Sequence, residues 1–239
     1  MSAIAVHEKT TNGCSSEGQL RYQMASLLQA TRAWPTAQPA ACTTMSNKTT
    51  IEASADGRAS GLEAFNAKTK AWNVIVETPQ GCRNKYKYDE ATGLFMLSKV
   101  LPVGATFPFD FGYLPGTRAE DGDPLDVLLL MEEAAFCGCL VPSRLIGVIE
   151  AVQTEKNGDL LRNDRIVAIA KDARNYRSVR SIDDLDDHLL EEIQYFFKSY
   201  NKLCGKRFRV RCCKPAEHAE AAIEKAVKRF RKSHRGHKV

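Results

Sequence analysis

The pattern of apolar and polar positions separates residues 1–64 from the rest of the chain. In this first segment Ser, Thr, Ala, Gln and Gly dominate, and the apolar residues follow no sustained period. Such a composition buries too little apolar surface to form a core, so we predict that residues 1–64 are disordered or form a targeting extension. Early acids at Glu8 and Glu17 argue against a transit peptide, and Met24 and Met45 are alternative starts.

From Trp72 onward the pattern is that of short strands joined by turns. Residues 72–77 alternate with period two, which predicts a half-buried strand. Residues 84–88 alternate again, 89–93 have turn composition, and 94–97 return as a strand, which predicts a hairpin.

Two later apolar runs, 145–149 and 166–170, flank a turn at residues 157–159, which read Asn-Gly-Asp. Many short strands with close turns are typical of a small barrel or sandwich. The remaining periodicity is helical, so the sequence predicts an α+β fold that is mainly β.

Two helices follow the strands. Apolar residues recur at helical spacing from Leu185 to Tyr200, and Ser181 with Asp184 three positions later predicts a capping-box start. A second helix is predicted from Ala216 to Phe230, directly after Pro215.

Composition fits one domain with an extension. The chain has 239 residues, of which 44% are apolar, enough to bury a core. No apolar stretch approaches the roughly 20 residues that span a bilayer, so we expect a soluble protein without a membrane partner. The formal charge of +5 is concentrated after residue 225, where a solvated tail is the ordinary interpretation and polyanion contact the alternative. The spacing of the eight cysteines fits neither zinc knuckles nor a disulfide framework, which predicts reduced thiols.

The candidate chemistry is concentrated in one run, Asp121-Gly122-Asp123-Pro124-Leu125-Asp126, which leads into an apolar stretch. Three clustered carboxylates repel one another unless cations lie between them, and hard oxygen ligands favour Mg²⁺, Mn²⁺ or Ca²⁺ over Zn²⁺. The run therefore predicts a multi-metal site of the kind that activates water for phosphoryl transfer. A plain hairpin turn is one alternative. An EF-hand is another, but Leu125 and Asp126 stand where that loop needs a ligand and a glycine.

The segment Phe107-Pro108-Phe109-Asp110-Phe111-Gly112-Tyr113, followed by the aspartate run, resembles the soluble family I inorganic pyrophosphatases. In that family an aromatic strand, Y-P-x-N/D-Y-G-Y/F, leads into D-x-D-P-x-D. Further matches extend from Trp72 to Phe230. The resemblance implies a five-stranded, oligonucleotide-fold-like barrel with two helices packed against it. The domains we predict are the extension 1–64, a pyrophosphatase domain 65–232 and a basic tail 233–239.

The resemblance also implies the residues of the active site. Asp121 and Asp126 match metal ligands, and Asp123 matches the general base. Glu77 matches a glutamate that approaches an outer metal ion, often through water. Lys85 matches a lysine that binds phosphate.

The second acidic loop allows two alignments with the family. Without a gap, Gly158 and Asn163 fall at the two metal positions, which would remove two carboxylate ligands. A one-residue deletion would instead place Asp159 and Asp164 there. We predict the deletion, because the loss of both carboxylates should leave the ions underbound.

Other positions depart from the family pattern. Lys99 replaces an arginine, so a bidentate fork becomes a point charge, and Arg165 replaces a lysine. Lys87 stands where the family has a glutamate, whereas Tyr200 is retained. Phe107 and Phe111 replace tyrosines and delete two hydroxyl donors. These changes affect the expected rate more than the reaction class.

The resemblance implies hydrolysis of inorganic diphosphate to two phosphates, with several Mg²⁺ ions, or Mn²⁺, as cofactors. Asp123 would deprotonate the attacking water, while Lys85, Lys99, Arg165 and Tyr200 bind the phosphates. We expect a cytoplasmic homo-oligomer, either dimer or hexamer, with organelle import through the extension as the alternative. Two other functions stay open: a catalytically weakened relative, and a nucleic-acid-binding module that uses the basic tail. The aspartate cluster argues against the nucleic-acid module.

Overall fold

Ten strands, one short 3-10 helix and two α-helices form the described part of the chain, residues 61–155 and 157–235 of a computed structural model. The strands are β1 (Phe65–Asn66), β2 (Ala71–Thr78), β3 (Asn84–Asp89), β4 (Leu94–Val100), β5 (Asp110–Leu114), β6 (Leu125–Leu130), β7 (Leu140–Thr154), β8 (Leu160–Arg162), β9 (Arg165–Ala170) and β10 (Arg207–Pro215). The helices are α1 (Asp187–Leu203) and α2 (Ala216–Arg235), and the 3-10 helix is Ile182–Asp184.

Five of these strands close into a ring. Strand β2 pairs with β5, β5 with β6, β6 with β9, β9 with β7, and β7 returns to β2. Only the β6–β9 pairing within the ring is parallel. The predicted five-stranded barrel is therefore confirmed, and closure satisfies the ring strands on both edges.

The longest strand, β7, organises the elements outside the ring. Its 15 residues pair with β2 and β9 and also with β8 and β10. The apolar run predicted at 145–149 is the middle of this strand, and the predicted turn at 157–159 leads into the short β8. Strand β10 was missed, although Arg207, Arg209 and Arg211 are exposed and alternate with the buried Phe208 and half-buried Val210.

The prediction that residues 72–77 are half-buried was wrong, because β2 is buried on both faces. Asn73 and Glu77 are 3% and 7% exposed. The Asn73 side chain donates to the Glu63 carbonyl, and the Glu77 carboxylate accepts from the backbone N–H of Tyr88 on β3. Neighbouring segments thus cover the polar face and satisfy its polar groups.

The glycine of the aromatic strand is required by strand packing. On β5, a Cβ at Gly112 would collide with the backbone carbonyl of Ile75 on β2. Any larger residue would push the two strands apart, because the obstacle is backbone rather than a flexible side chain. This close approach holds β5 in place just before the aspartate loop.

The first helix starts later than predicted. Ser181 and Asp184 do form a capping box, but it caps the 3-10 helix Ile182–Asp184. Leu185 is extended, and Asp186 caps α1 by accepting from the N–H groups of His188 and Leu189. Ile193 and Phe197 form the buried face of α1, which packs against β10.

The second helix is longer than predicted. It runs to Arg235 and buries Ala219, Ile223 and Ala226, spaced three or four residues apart, against β7 and β10. Its last turn carries charged residues without an apolar stripe, so periodicity could not find its end. Neither α-helix of the described ranges is long and apolar enough to cross a membrane.

Structured residues extend slightly beyond both predicted boundaries of the domain. Ala64 is buried, and its carbonyl accepts from the N–H of Asn73, so Glu63 and Ala64 join the domain rather than the extension. At the other end, residues 233–235 of the predicted tail belong to α2. The predictions for residues 1–60 and 236–239 lie outside the described residues.

Candidate active site

The aspartate run forms a tight loop between β5 and β6. Gly122 has a positive φ of 91°, and the Asp123 N–H donates to Asp121 Oδ1 at 3.2 Å. The Leu125 N–H donates to Thr117 Oγ1 at 2.9 Å, which fixes the start of β6. Strand alternation then keeps the Asp126 side chain partly exposed between the buried Leu125 and Val127. Gly122 and Pro124 were sufficient to predict this turn.

The crowded carboxylates of this loop favour a nearby cation. Burial raises the pKa of Asp121, and although the Asp123 N–H opposes this, the nearby charges of Asp126 and Asp123 raise it further. Carboxylates crowded in this way are stabilised by a cation. Their hard oxygen ligands fit Mg²⁺ or Mn²⁺, which use few carboxylates and complete their shell with water or substrate oxygens.

Two cationic side chains neutralise part of this negative charge. Lys87 Nζ lies 2.7 Å and 2.8 Å from the two carboxylate oxygens of Asp123, and Arg165 Nη1 lies 2.7 Å from Asp126 Oδ2. Within the described ranges, no three His, Cys, Asp or Glu side chains converge closely enough to hold a metal ion by themselves. Any divalent cation here would therefore also need water or substrate ligands.

Glu77 lies at the end of β2, beside the β3–β4 hairpin. Its burial raises the pKa of its carboxyl group to about 7. The N–H of Tyr88 opposes this shift, the charge of Asp126 adds to it, and Lys85 and Lys87 oppose it. Glu77, Lys87 and Asp123 border one cavity of about 920 Å³.

The phosphate-binding candidates converge on an aromatic surface. Lys85 and Lys99 are directly opposite in the β3–β4 hairpin, a like-charge pairing that costs stability. Lys85 Nζ lies 5.0 Å from the Phe111 ring centroid and 5.5 Å from that of Tyr200, and Lys99 Nζ lies 5.8 Å from Tyr200. The ring faces offset part of the repulsion, and the remaining positive charge suits an anion.

Tyr200 is positioned by aromatic packing. On α1, its ring stacks on Phe196 and contacts Phe107 of the aromatic motif. Burial raises the pKa of Tyr200 to about 12, against the opposing charge of Lys99. Its phenol therefore stays protonated near neutral pH and can donate a hydrogen bond.

Arg165 joins the acidic loop to the phosphate-binding side chains. It is 4% exposed, and its guanidinium lies 5.8 Å from the Phe111 centroid and 5.3 Å from that of Phe197. One nitrogen, Nη1, contacts both Asp126 and the Asn163 side chain. Its Nε is a buried donor without a hydrogen-bond partner among the described residues. Such a donor costs about 1–3 kcal/mol unless a ligand satisfies it.

The second acidic loop places its two predicted carboxylates differently. Asp164, with Asn163, borders a cavity of about 240 Å³ that Asp121 and Asp126 also border. Asp159 is not among the residues around that cavity. It lies exposed in the turn before β8, where it accepts a hydrogen bond from the Asn157 amide.

Asn163 and Asp164 are each hydrogen-bonded to an arginine of the second loop. The Asp164 carboxylate accepts from the Ala151 N–H at 3.1 Å and from Arg162 Nε at 2.6 Å. The Asn163 side chain contacts Arg165, which also holds Asp126, and donates to Gln153 Oε1 at 3.0 Å. Asp159 and Asp164 stay predicted ligands.

Sequence reasoning missed the partners of these carboxylates. Arg162 bridges Asp164 and Glu150, and Lys87 bridges the hairpin and the aspartate loop. The departure from the family pattern at Lys87 was visible in the sequence. Its contact with Asp123, 36 residues away, was not.

The described part of the chain is similar to known proteins. The model of the inorganic pyrophosphatase family matches residues 74–231. The chain is 38% identical over 173 residues to an inorganic pyrophosphatase of Synechocystis, with 71% of this chain and 99% of the relative covered. It is 40% identical over 164 residues to a soluble inorganic pyrophosphatase of Oryza sativa, with 68% and 74% covered.

Solved structures show the same fold. An inorganic pyrophosphatase from Thermus thermophilus superposes with a TM-score of 0.65 at 27% identity, covering 71% of this chain and 97% of that one. One from Neisseria gonorrhoeae gives 0.64 at 28% identity, with 71% and 96% covered. Because the family model matches well over half of the chain and the relatives align over two thirds of it, the chain belongs to the inorganic pyrophosphatase family.

Proposed function

We propose that this protein is a hydrolase that converts inorganic diphosphate to two orthophosphates with the help of divalent cations. The observation that supports this proposal is the position of Arg165. Its guanidinium contacts Asp126 of the acidic loop and lies against Phe111, beside the lysines that suit an anion. Membership of the pyrophosphatase family supports the same reaction.

The substrate is held by positive charge and by neutral donors. Lys85, Lys99 and Arg165 neutralise the phosphates, and Tyr200 donates its phenolic hydrogen. The unpartnered Nε of Arg165 supports its role, because a phosphate oxygen would satisfy this buried donor. Charge that develops on the leaving phosphate would meet groups already oriented towards it.

Asp123 is the proposed general base. Its side chain is 54% exposed, so it can reach a water molecule, and Lys87 holds both of its oxygens. Asp123 orients the attacking water and accepts its proton. No covalent intermediate is needed.

The proposed cofactor is Mg²⁺, several ions per site, with Mn²⁺ as an alternative. Asp121 and Asp126 are the proposed direct ligands, and Glu77 would act through water. From the second loop we keep Asp159 and Asp164, and add Asn163, which contacts Arg165, as the competing candidate. When bound, such ions lower the pKa of a coordinated water and neutralise phosphate charge.

The remaining proposals concern the whole protein. We propose a cytoplasmic homo-oligomer whose catalytic domain spans residues 65–232 together with Glu63, Ala64 and the end of α2, preceded by an extension that includes residues 1–60. The family match at 74–231 supports these domain bounds. Nucleic acid is not a proposed partner, because the aspartate loop would repel a phosphate backbone in the absence of metal.

A phosphate-release assay on diphosphate, with and without Mg²⁺, tests the proposal. We expect release only with the cation, and none from an Asp121→Asn variant. An inactive protein that still binds Mg²⁺ and phosphate would indicate a weakened relative. Binding of single-stranded DNA without phosphate release would favour the nucleic-acid module and contradict the proposed function.

A further inference from the structure

Lys87 makes a contact that its position in the hairpin does not require. It lies within β3, and its Nζ reaches across to the aspartate loop, 2.7 Å from Asp123 Oδ1 and 2.8 Å from Oδ2. The ammonium therefore engages both oxygens of the proposed general base. A divalent cation bound to Asp123 would therefore lie close to this positive charge.

The surroundings of Lys87 are acidic on more than one side. Burial alone would lower the pKa of Lys87, but its hydrogen bond to Asp123 and the charges of Asp123, Glu77 and Asp126 outweigh this and raise it. Three carboxylates from β2, the aspartate loop and β6 thus act on one ammonium group. Lys87 is the cation that compensates this side of the cluster, as Arg165 does at Asp126.

We propose that Lys87 is a resident cation of the active site, whose ammonium group competes with a divalent cation for the Asp123 carboxylate. The inference rests on the proposed metal-dependent function. Lys87 then has a positioning role, because its ammonium holds the Asp123 carboxylate in place while that carboxylate orients the attacking water and accepts its proton.

The charge of Lys87 should weaken the binding of a divalent cation beside Asp123. Mg²⁺ binds carboxylate oxygens at about 2.0–2.1 Å, and an ammonium that donates to both oxygens already occupies one lone pair on each of them. The doubly charged ion and the ammonium also repel each other across a few ångströms, more strongly near a protein surface than in bulk water. The site should therefore bind its weakest divalent cation less tightly than it would without Lys87.

Calorimetric titration of the full-length protein with Mg²⁺, in the absence of diphosphate, tests this idea. We expect Lys87→Met to tighten the weakest Mg²⁺ site by about tenfold, or to add one ion per chain. Lys87→Arg keeps the charge and should behave like the wild type. Lys171→Met is the matched control: this exposed lysine follows the far end of β9, about 20 Å from Arg165 at the usual strand rise, and should change nothing.

Lys87→Met made in an Asp123→Asn protein shows whether the change in Mg²⁺ affinity depends on the Asp123 carboxylate. In that protein, the substitution should tighten Mg²⁺ binding much less, because the carboxylate that Lys87 holds is gone and only the repulsion through space remains. Circular dichroism melting of each variant checks that the fold is intact, and Lys87→Gln replaces Lys87→Met if the latter does not fold.

The possible failures are distinguishable. A wild-type protein that binds no Mg²⁺ and releases no phosphate would overturn the proposed function itself. A wild type that binds Mg²⁺, with a folded Lys87→Met protein of unchanged or weaker affinity, would overturn only the role of Lys87. Equal tightening in the Asp123→Asn background would also overturn it, because the effect would then not depend on that carboxylate.

Discussion

Arg165 lies between the acidic loop and the phosphate-binding side chains, and its guanidinium contacts residues of both groups. A lysine here, as in the family pattern, would supply one ammonium group, whereas arginine offers several donors in a fixed plane. One donor holds Asp126, and the Nε donor is left for a ligand. At the scale of residues, the site therefore depends on which partner each charged group contacts as well as on which residues are present.

Asp123→Asn tests the proposed general base. The amide keeps the shape of the side chain but cannot accept a proton, so we expect kcat to fall on the order of 10²–10⁴-fold. Mg²⁺ binding at Asp121 and Asp126 should persist, as calorimetry would show. The exposed Asp172, beyond the far end of β9, provides the control Asp172→Asn. Near-wild-type turnover in Asp123→Asn would remove Asp123 from the mechanism.

Asn163 and Asp164 give opposite expectations. From their contacts we expect Asn163→Ala to raise the Mg²⁺ concentration for half-maximal activity, because Arg165 and Asp126 lose a neighbour. Asp164→Ala should mainly lower the free energy of unfolding, by about 1–3 kcal/mol, because the Ala151 N–H and Arg162 lose their acceptor. Activity titrations and urea unfolding measure the two effects. If Asp164 is a metal ligand, the titrations will show the reverse order.

At the scale of elements, the β3–β4 hairpin carries much of the candidate chemistry. Alternation along β3 puts Lys85 and Lys87 at equivalent positions, and the turn at 89–93 brings Lys99 opposite Lys85. A register shift between Lys85 and Tyr86 follows this pair. The hairpin was predictable from period two and its turn residues, but its role as a wall of the site depended on how it folds back over β2.

Lys99→Met should separate the hairpin's stability from its function. Removing one of two directly opposed cations should raise the free energy of unfolding by about 0.2–1 kcal/mol. The same change should raise KM for diphosphate several-fold, because positive charge is lost from the anion site. Urea unfolding and steady-state kinetics measure the two quantities, with the exposed Lys198→Met on α1 as a control. An unchanged KM would place Lys99 outside the substrate site.

At the scale of the whole molecule, closure of the ring brings distant segments into one site. Glu77 on β2, Asp126 on β6 and Arg165 at the start of β9 come from three of its five strands. The parallel pairing of β6 with β9 sets Val127 beside Ile166, which places the preceding residues, Asp126 and Arg165, together. The central ion pair of the site thus follows from strand register.

Removing residues 1–60 should leave activity and melting temperature nearly unchanged, since their sequence lacks the apolar periodicity needed to join a core. The cut preserves Glu63 and Ala64, which bond to Asn73. A variant lacking residues 1–64 is the informative comparison, because it loses both bonds and should melt at a lower temperature. A large loss of stability on removing only residues 1–60 would show that the extension packs on the barrel or joins subunits.

The sequence by itself determined the features that depend on neighbours along the chain. The aspartate loop, the hairpin, the capping box and the helical stripe of α1 all follow from local spacing, turn chemistry and periodicity. The family pattern in residues 107–126 added the reaction class. The exact helix start, the length of α2 and strand β10 escaped, because their ends carry weak or charged patterns.

The tertiary structure decided which charges meet. Lys87 contacts Asp123 across 36 residues, Arg165 contacts Asp126 through strand register, and Asp164 bonds to Arg162 and the backbone of β7. The burial of Glu77, which raises its pKa, also depends on the hairpin that covers β2. Electrostatic energies depend on distance and burial in three dimensions, and spacing along the chain fixes neither until the ring has closed.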